Sequence, residues 1–400
     1  MKIRNLLLIA LVFLGFNSFG QTNILGQDGA GDPNVITTAV PFLSISPDAR
    51  GGAMGDCGVA STPDVFSMHY NPAKYSFLQE DMAIGLGYSP WLRNLVSDMN
   101  LAYLAFAKKL NAWSAIGATL RYFSCGDITF TDINNQEMGT YSPNEWAVDA
   151  TYSRLLGDYL SGAVAGRFIY SNLTQGVTEG SSIGWSVAAD VAVYYERPVE
   201  WFDFDTDFSW GVSINNIGSK VRYSTTSTKK DFIPTYLKLG PSLKMQLDEY
   251  NSLAFNIDLS KLLVPTPPHY AIDSLSGSYV VGSDGSYDIA SGMDNNVSTV
   301  MGMLQSFYDA PGGFSEELQE INLGLGVEYW YNNVFAVRAG YFNETKIKGN
   351  RKYFTLGAAL KYTSFNLDIS YLVPVNGTVG SNPLEDTLRF NLTYLFGSKK

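Results

Sequence analysis

The chain has 400 residues and a formal net charge of −11, which argues against a nucleic-acid partner read through its phosphates. Charged residues make up 16% of it, against about a quarter in an ordinary soluble domain, while Phe, Trp and Tyr together reach 14%. The two cysteines, Cys57 and Cys125, do not make a metal site; one disulfide or two free thiols both fit.

In chain order, Lys2 and Arg4 precede an apolar stretch from Leu6 to Phe16 and the small residues before Gln21. This pattern predicts a secretory signal peptide over 1–20, too short in its apolar core for the roughly 20 residues a spanning helix needs. No apolar run of spanning length follows. A chain rich in aromatics and Gly, poor in charge and without spanning helices fits a membrane β-barrel, whose apolarity is hidden by alternation.

Residues 21–81 do not alternate. They carry the run Ile45-Ser46-Pro47-Asp48-Ala49-Arg50-Gly51-Gly52 and then His69-Tyr70-Asn71-Pro72-Ala73. A segment of this size ahead of the first strand predicts a plug folded within a barrel.

From Met82 onward the chain reads with a period of two. Trp185, Val187, Ala189 and Val191 alternate with Ser186 and Asp190; Leu388, Phe390, Leu392 and Tyr394 alternate with Arg389, Asn391 and Thr393. Fourteen such segments are predicted, at 82–88, 99–107, 112–124, 146–155, 160–173, 183–195, 204–216, 235–247, 252–260, 321–330, 334–343, 351–362, 365–372 and 387–396. Every second connection is short, with Glu196 to Asp203 as the moderate exception, and the others are longer. Outer-membrane barrels have short periplasmic turns and long outer loops. The expectation is therefore an all-β membrane protein: a 14-stranded antiparallel outer-membrane β-barrel over 82–400, with both barrel ends in the periplasm.

Arg167, Asp190, Asp258, Glu328, Arg338, Asp368 and Arg389 fall mid-strand, opposite to the large apolar side chains. A basic residue facing mid-bilayer lipid costs roughly 2–4 kcal/mol, so these side chains should face the lumen. There they either select a permeant or, the reading favoured here, bind plug to wall. A strand interruption such as Pro241 marks a candidate lateral opening.

The predicted outer loop 261–320 is far longer than a strand connection needs. After Pro265-Thr266-Pro267-Pro268 it carries Asp273, Asp284, Asp288 and Asp294. These make a solvated acidic stretch, without the spaced ligands and terminal Glu of a calcium loop. Val297, Val300, Met301, Leu304, Phe307 and Tyr308 then form one face at helical spacing. Such a face either docks into a partner groove or packs over its own barrel mouth. No catalytic motif is visible, and His69 and His269 are the only histidines, so no enzyme and no cofactor are expected.

The Asn71-Pro72-Ala73 triplet after an aromatic resembles the plug motif of FadL-type transporters, whose barrels also have fourteen strands. The longer combination of Ser46 to Gly52, Gly58-Val59-Ala60, Thr62-Pro63-Asp64 and His69 to Tyr75 resembles the PorV family, the FadL-related outer-membrane component of the Bacteroidetes type IX secretion system. That resemblance implies binding of secreted cargo through its C-terminal signal domain at the SprA translocon barrel. It also implies transfer of that cargo to an attachment complex containing PorU, in contact with outer-membrane lipid and lipopolysaccharide. The rival implication, from the FadL side, is transport of long-chain fatty acids or other hydrophobic small molecules.

Overall fold

The computed structural model describes residues 33–397 except 94, 95, 97, 132, 133, 174–179, 227, 274, 275, 284 and 376–383. The signal-peptide expectation for 1–20, the first residues of the plug expectation and Asp284 lie outside the described residues.

Fourteen antiparallel strands close into a barrel in simple sequence order, each paired with its chain neighbours and the first with the last. They are β1 (Met82–Pro90), β2 (Asn100–Asn111), β3 (Ser114–Ser124), β4 (Asn144–Leu155), β5 (Leu160–Asn172), β6 (Gly184–Trp201) and β7 (Phe204–Gly218), followed by β8 (Tyr236–Gln246), β9 (Asn251–Leu262), β10 (Ile321–Tyr331), β11 (Phe335–Asn343), β12 (Lys352–Tyr362), β13 (Phe365–Pro374) and β14 (Leu388–Phe396). Closure leaves no strand edge unpaired along the wall, which a bilayer requires because it offers no water to orphaned amides. No helix among the described residues is long and apolar enough to cross a membrane.

The period of two has the physical consequence the sequence predicts. On β14, Phe390 and Leu392 are exposed, whereas Arg389 and Asn391 between them are buried. The exposed side chains form the lipid-facing surface of the wall. Inward positions are polar or small. Short connections gather at one end of the barrel and long ones at the other, which is the parity pattern read from the sequence.

One connection corrects that reading. The stretch from Glu196 to Asp203 is not a moderate loop; β6 and β7 run on as a ribbon, with Trp201 paired to Phe204 across a two-residue turn. Phe202 and Asp203 both have positive φ, 50° and 63°, as a tight twisted hairpin turn needs. Pro198 lies within this ribbon, yet it costs the ladder nothing. The Glu196 N–H is the last to bond toward β5, at Tyr159 O, so Pro198, two residues on, faces a free edge. The exception to the turn pattern disappears. Apart from this ribbon, no predicted strand end is more than four residues from the observed one.

Residues 33–81 pass through the ring of strands and touch it on both sides. The short helix α1 (Ala49–Ala53) packs against β11 to β14, and the 3-10 helix Pro72–Phe77 against β2 to β6. Val65, Phe66, Met68, Tyr75 and Leu78 form a buried cluster with Ala83, Tyr103, Ala105, Ala107, Ala115 and Ala165 of the wall. The wall is cut back to glycine where the backbone of this inner segment presses on it. A Cβ at Gly340 would stand 2.1 Å from the Gly55 nitrogen.

Candidate functional site: the lumen network and the long loop

The motif residues of the inner segment are almost all spent on backbone hydrogen bonds. Asp48 caps α1 by accepting from the Gly51 N–H at 2.8 Å, and it also accepts from the Tyr70 hydroxyl at 2.6 Å. Asn71 caps the next turn through the Ala73 N–H, while its amide donates to Val59 O and, on the wall, Val193 O. Pro72 occupies the first turn of its 3-10 helix, where no N–H is needed. Ala73 O accepts from the hydroxyls of Ser153 and Ser161. His69 Nδ1 lies 2.9 Å from Arg121 Nη2, and with the guanidinium as donor it is the acceptor.

The seven mid-strand charges are all buried within the barrel. Two chains of opposite charges account for five of them. In the first, Arg50 of α1 forms a bidentate pair with Glu328 of β10 at 2.8 and 2.9 Å. Glu328 also accepts from Arg338 of β11 at 2.6 Å, and Arg338 reaches Asp368 of β13 at 2.7 Å. Arg50 closes the other end on Asp64 at 2.9 Å. In the second, Arg167 of β5 lies 2.5 Å from Asp149 of β4 and 3.2 Å from Asp190 of β6. A bulge between Ala189 and Val191 sets Asn215 and Asn216 of β7 so that both donate to Asp190.

The last two act separately. Asp258 of β9 accepts from the successive N–H groups of Gly58 and Val59 at 2.7 and 2.9 Å. Arg389 sits over Gly52 with a 3.6 Å approach to Asp56. Sequence reasoning missed Asp149 and Arg121, although each lies on the same alternate as its neighbours' inward residues. Arg121 donates to Phe42 O and Leu43 O, fixing the start of the inner segment.

At the long-loop end, the described residues of 263–320 form a structured cap. His269–Tyr270 pairs with Ile289–Ser291, and two helices follow, α2 (Thr299–Gln305) and α3 (Phe314–Gln319). Ser298 caps α2 through the Met301 N–H, as the sequence position of a serine ahead of an apolar run favours. The orientation of α2 is inverted relative to an ordinary surface helix. Gly302 and Gln305 are buried, while Val300, Met301, Leu304, Phe307 and Tyr308 are 48–65% exposed. Val297, just before the helix, is half-buried. Gly302 allows the close approach, because a Cβ there would stand 2.8 Å from the Phe232 ring. Phe314 and Leu318 of α3 add two more exposed apolar side chains.

Beneath the cap, a cavity of about 590 Å³ opens beside the start of the inner segment. Ile36, Phe42, Ile45, Trp91, Met99 and Phe123 line its apolar side. Both cysteines are free thiols, Cys57 buried and Cys125 half-buried.

Residues 28–269 match the family model described as Type IX secretion system protein PorV. No curated protein sequence matches the chain. Among solved structures, the toluene transporter TodX of P. putida is 12% identical over 89% of this chain and 99% of its own, with a TM-score of 0.46. A FadL homologue of Pseudomonas aeruginosa is 11% identical over 91% of this chain and 100% of its own, with a TM-score of 0.43. The CymD monoaromatic hydrocarbon channel is 12% identical over 88% of this chain and 98% of its own, with a TM-score of 0.48.

Proposed function

The chain belongs to the PorV family of type IX secretion proteins, and we propose that it is the outer-membrane component that captures secreted cargo by its C-terminal signal domain. In this reading cargo is met at the SprA barrel and released to the PorU-containing attachment complex, with no covalent chemistry at this protein. The long-loop end faces the cell exterior, the short turns face the periplasm, and residues 33–81 act as a plug. The observation that carries the proposal is the outward apolar face of α2. Val300, Met301 and Leu304 on the capped helix and Phe307 and Tyr308 just after it are held largely in water, and Met and aromatic anchors are what partner grooves take up.

The test is co-purification from outer membrane. Deletion of 275–315, or the paired change Leu304→Asp and Phe307→Asp, should abolish recovery of cargo while the barrel still folds. Retention of cargo and translocon by both variants sinks the proposal.

The apolar cavity supports a second reading, uptake of a hydrophobic small molecule such as a long-chain fatty acid. It takes precedence if the deletion leaves co-purification intact while fatty-acid uptake depends on the protein.

A further inference from the structure

The long loop is fastened to the barrel rim by a buried ionic cluster of unequal charge. Lys261, near the end of β9, reaches Glu317 at 2.9 Å and Glu320 at 2.5 Å. Lys348, on the neighbouring rim turn, reaches Glu316 at 2.5 Å and Glu320 at 2.9 Å. Asp309, in the link between α2 and α3, completes the group. Its Oδ2 accepts from the Thr266 N–H at 3.2 Å, and its Oδ1 meets no donor among the described residues although the side chain is fully buried. Four carboxylates thus face two ammonium groups. The adjacent Glu344–Arg351 pair is self-neutralising, with both contacts at 2.8 Å, and lends no charge.

The remaining contacts are neutral donors. The Ala310 N–H bonds Glu317, the Gly312 N–H and Asn34 amide bond Glu316, and the Thr266 hydroxyl bonds Glu320. Of the four carboxylates, Asp309 is the one with no cation within ion-pair distance. A buried carboxylate oxygen without a donor is costly when ionised and tolerable when neutral.

We propose that Asp309 is the proton-operated latch of the long loop: neutral, it lets residues 309–320 seat on Lys261 and Lys348; ionised, it repels Glu317 and Glu320 and loosens the seat, and with it α2. Titration supports the geometry. Burial first, and then Glu317 and Glu320, push the Asp309 carboxyl up to about 7 from an ordinary 3.8. A raised acid holds its extra proton only in the seated loop. Seating is therefore favoured at low pH and weakens as pH rises, through the window from about 4 to about 7. Glu316 works in the opposite direction. Burial raises it, but Lys348 and the Gly312 N–H outweigh that and leave it below its usual value. Its contribution is present at neutral pH and is lost only in strong acid.

This inference rests on the proposed role of the loop only for its consequence, that cargo capture responds to acidity. The latch itself is measured without cargo. Spin labels at Ser315→Cys and Lys346→Cys, both exposed positions, report the distance between α3 and the rim in the full protein in detergent, in a background carrying Cys125→Ser. The unseated fraction should rise several-fold between about pH 5.5 and about pH 8, since each unit of pH changes a one-proton equilibrium up to about tenfold. Asp309→Asn, which fixes the neutral form, should stay seated across the range. A wild-type distance that ignores pH overturns the proposal even if the variant fails to fold. So does an Asp309→Asn protein that titrates like the wild type. Cargo capture that fails at every pH while the distance still titrates would count against the cargo reading and leave the latch standing.

Discussion

Removing Arg50 tests whether the inner segment is held by its ion pair to the wall or only by packing. The guanidinium makes two parallel bonds to Glu328, at 2.8 and 2.9 Å, and a third to Asp64 at 2.9 Å, with side-chain exposures of 12% for Arg50 and 3% for Glu328. Breaking a buried pair from one side leaves its partner uncompensated and costs about 3–5 kcal/mol. Glu328 keeps Arg338 at 2.6 Å, so Arg50→Ala should fall toward the lower end of that range. The perturbation is local, and hydrogen exchange is the assay. The Gly51 and Gly52 amides, which bond Asp48, open when α1 leaves the wall. A loss of about 3 kcal/mol accelerates their exchange about a hundredfold, at about 1.4 kcal/mol per tenfold. A cycle with Glu328→Gln should return a coupling of about 1–3 kcal/mol. Acceleration below about fivefold, with no coupling, would place the pair among exposed ones worth under about 1 kcal/mol and refute the reasoning.

Three further outcomes follow from burial and side-chain direction. Phe390→Arg puts a cation on the lipid face and should cost about 2–4 kcal/mol if the position is near mid-bilayer, whereas Thr393→Ser, facing inward, should cost much less; urea unfolding in lipid vesicles separates them. In the native protein a maleimide should modify Cys125 and leave Cys57 untouched until denaturation, with no mobility change on reduction. Burial and Glu145 push the Cys125 thiol up to about 11, so its labelling should quicken as pH rises toward that value. Leu304→Lys should alter unfolding by no more than about 0.5 kcal/mol, because its side chain is 60% exposed, while weakening cargo recovery; a large loss of stability would mean the α2 face is covered.

The barrel was legible because its signal is redundant. Fourteen segments each repeat one rule, and a closed wall makes alternation compulsory at every step. Arg389 between Leu388 and Phe390 already declares which way its strand faces. The ribbon from Glu196 was not legible as strand, because a proline such as Pro198 is tolerated on a free edge and not on a paired one, and only the end of β5 at Leu160 reveals which applies. Asp149 was overlooked although the same alternation contains it, since Trp146 and Val148 place it on the inward side. The α2 helix was legible from the spacing of its apolar residues. Its direction was not, because an apolar face at helical spacing is the same string whether it meets the protein or the solvent. What turned it outward is Gly302, whose missing side chain lets the other face close on Phe232, a contact no local pattern announces.

That inversion bears on where the chemistry of this protein resides. Inside the barrel, Arg167 is committed to Asp149 and Asp190, Arg338 to Glu328 and Asp368, Arg50 and Asp258 are committed across the gap between inner segment and wall, and wall side chains are cut back to glycine where backbones touch. An ionic interior of this kind gives register more than stability, because desolvation offsets much of the attraction. It is suited to holding the inner segment still. A conduit would need that segment to move past several paired charges at once. The exposed Met and aromatic side chains of the cap face no such obstacle, and they are carried on a loop whose seat depends on a carboxylate left without a cation. In the proposed function the interior keeps the platform rigid, and the cap supplies the surface and its adjustment.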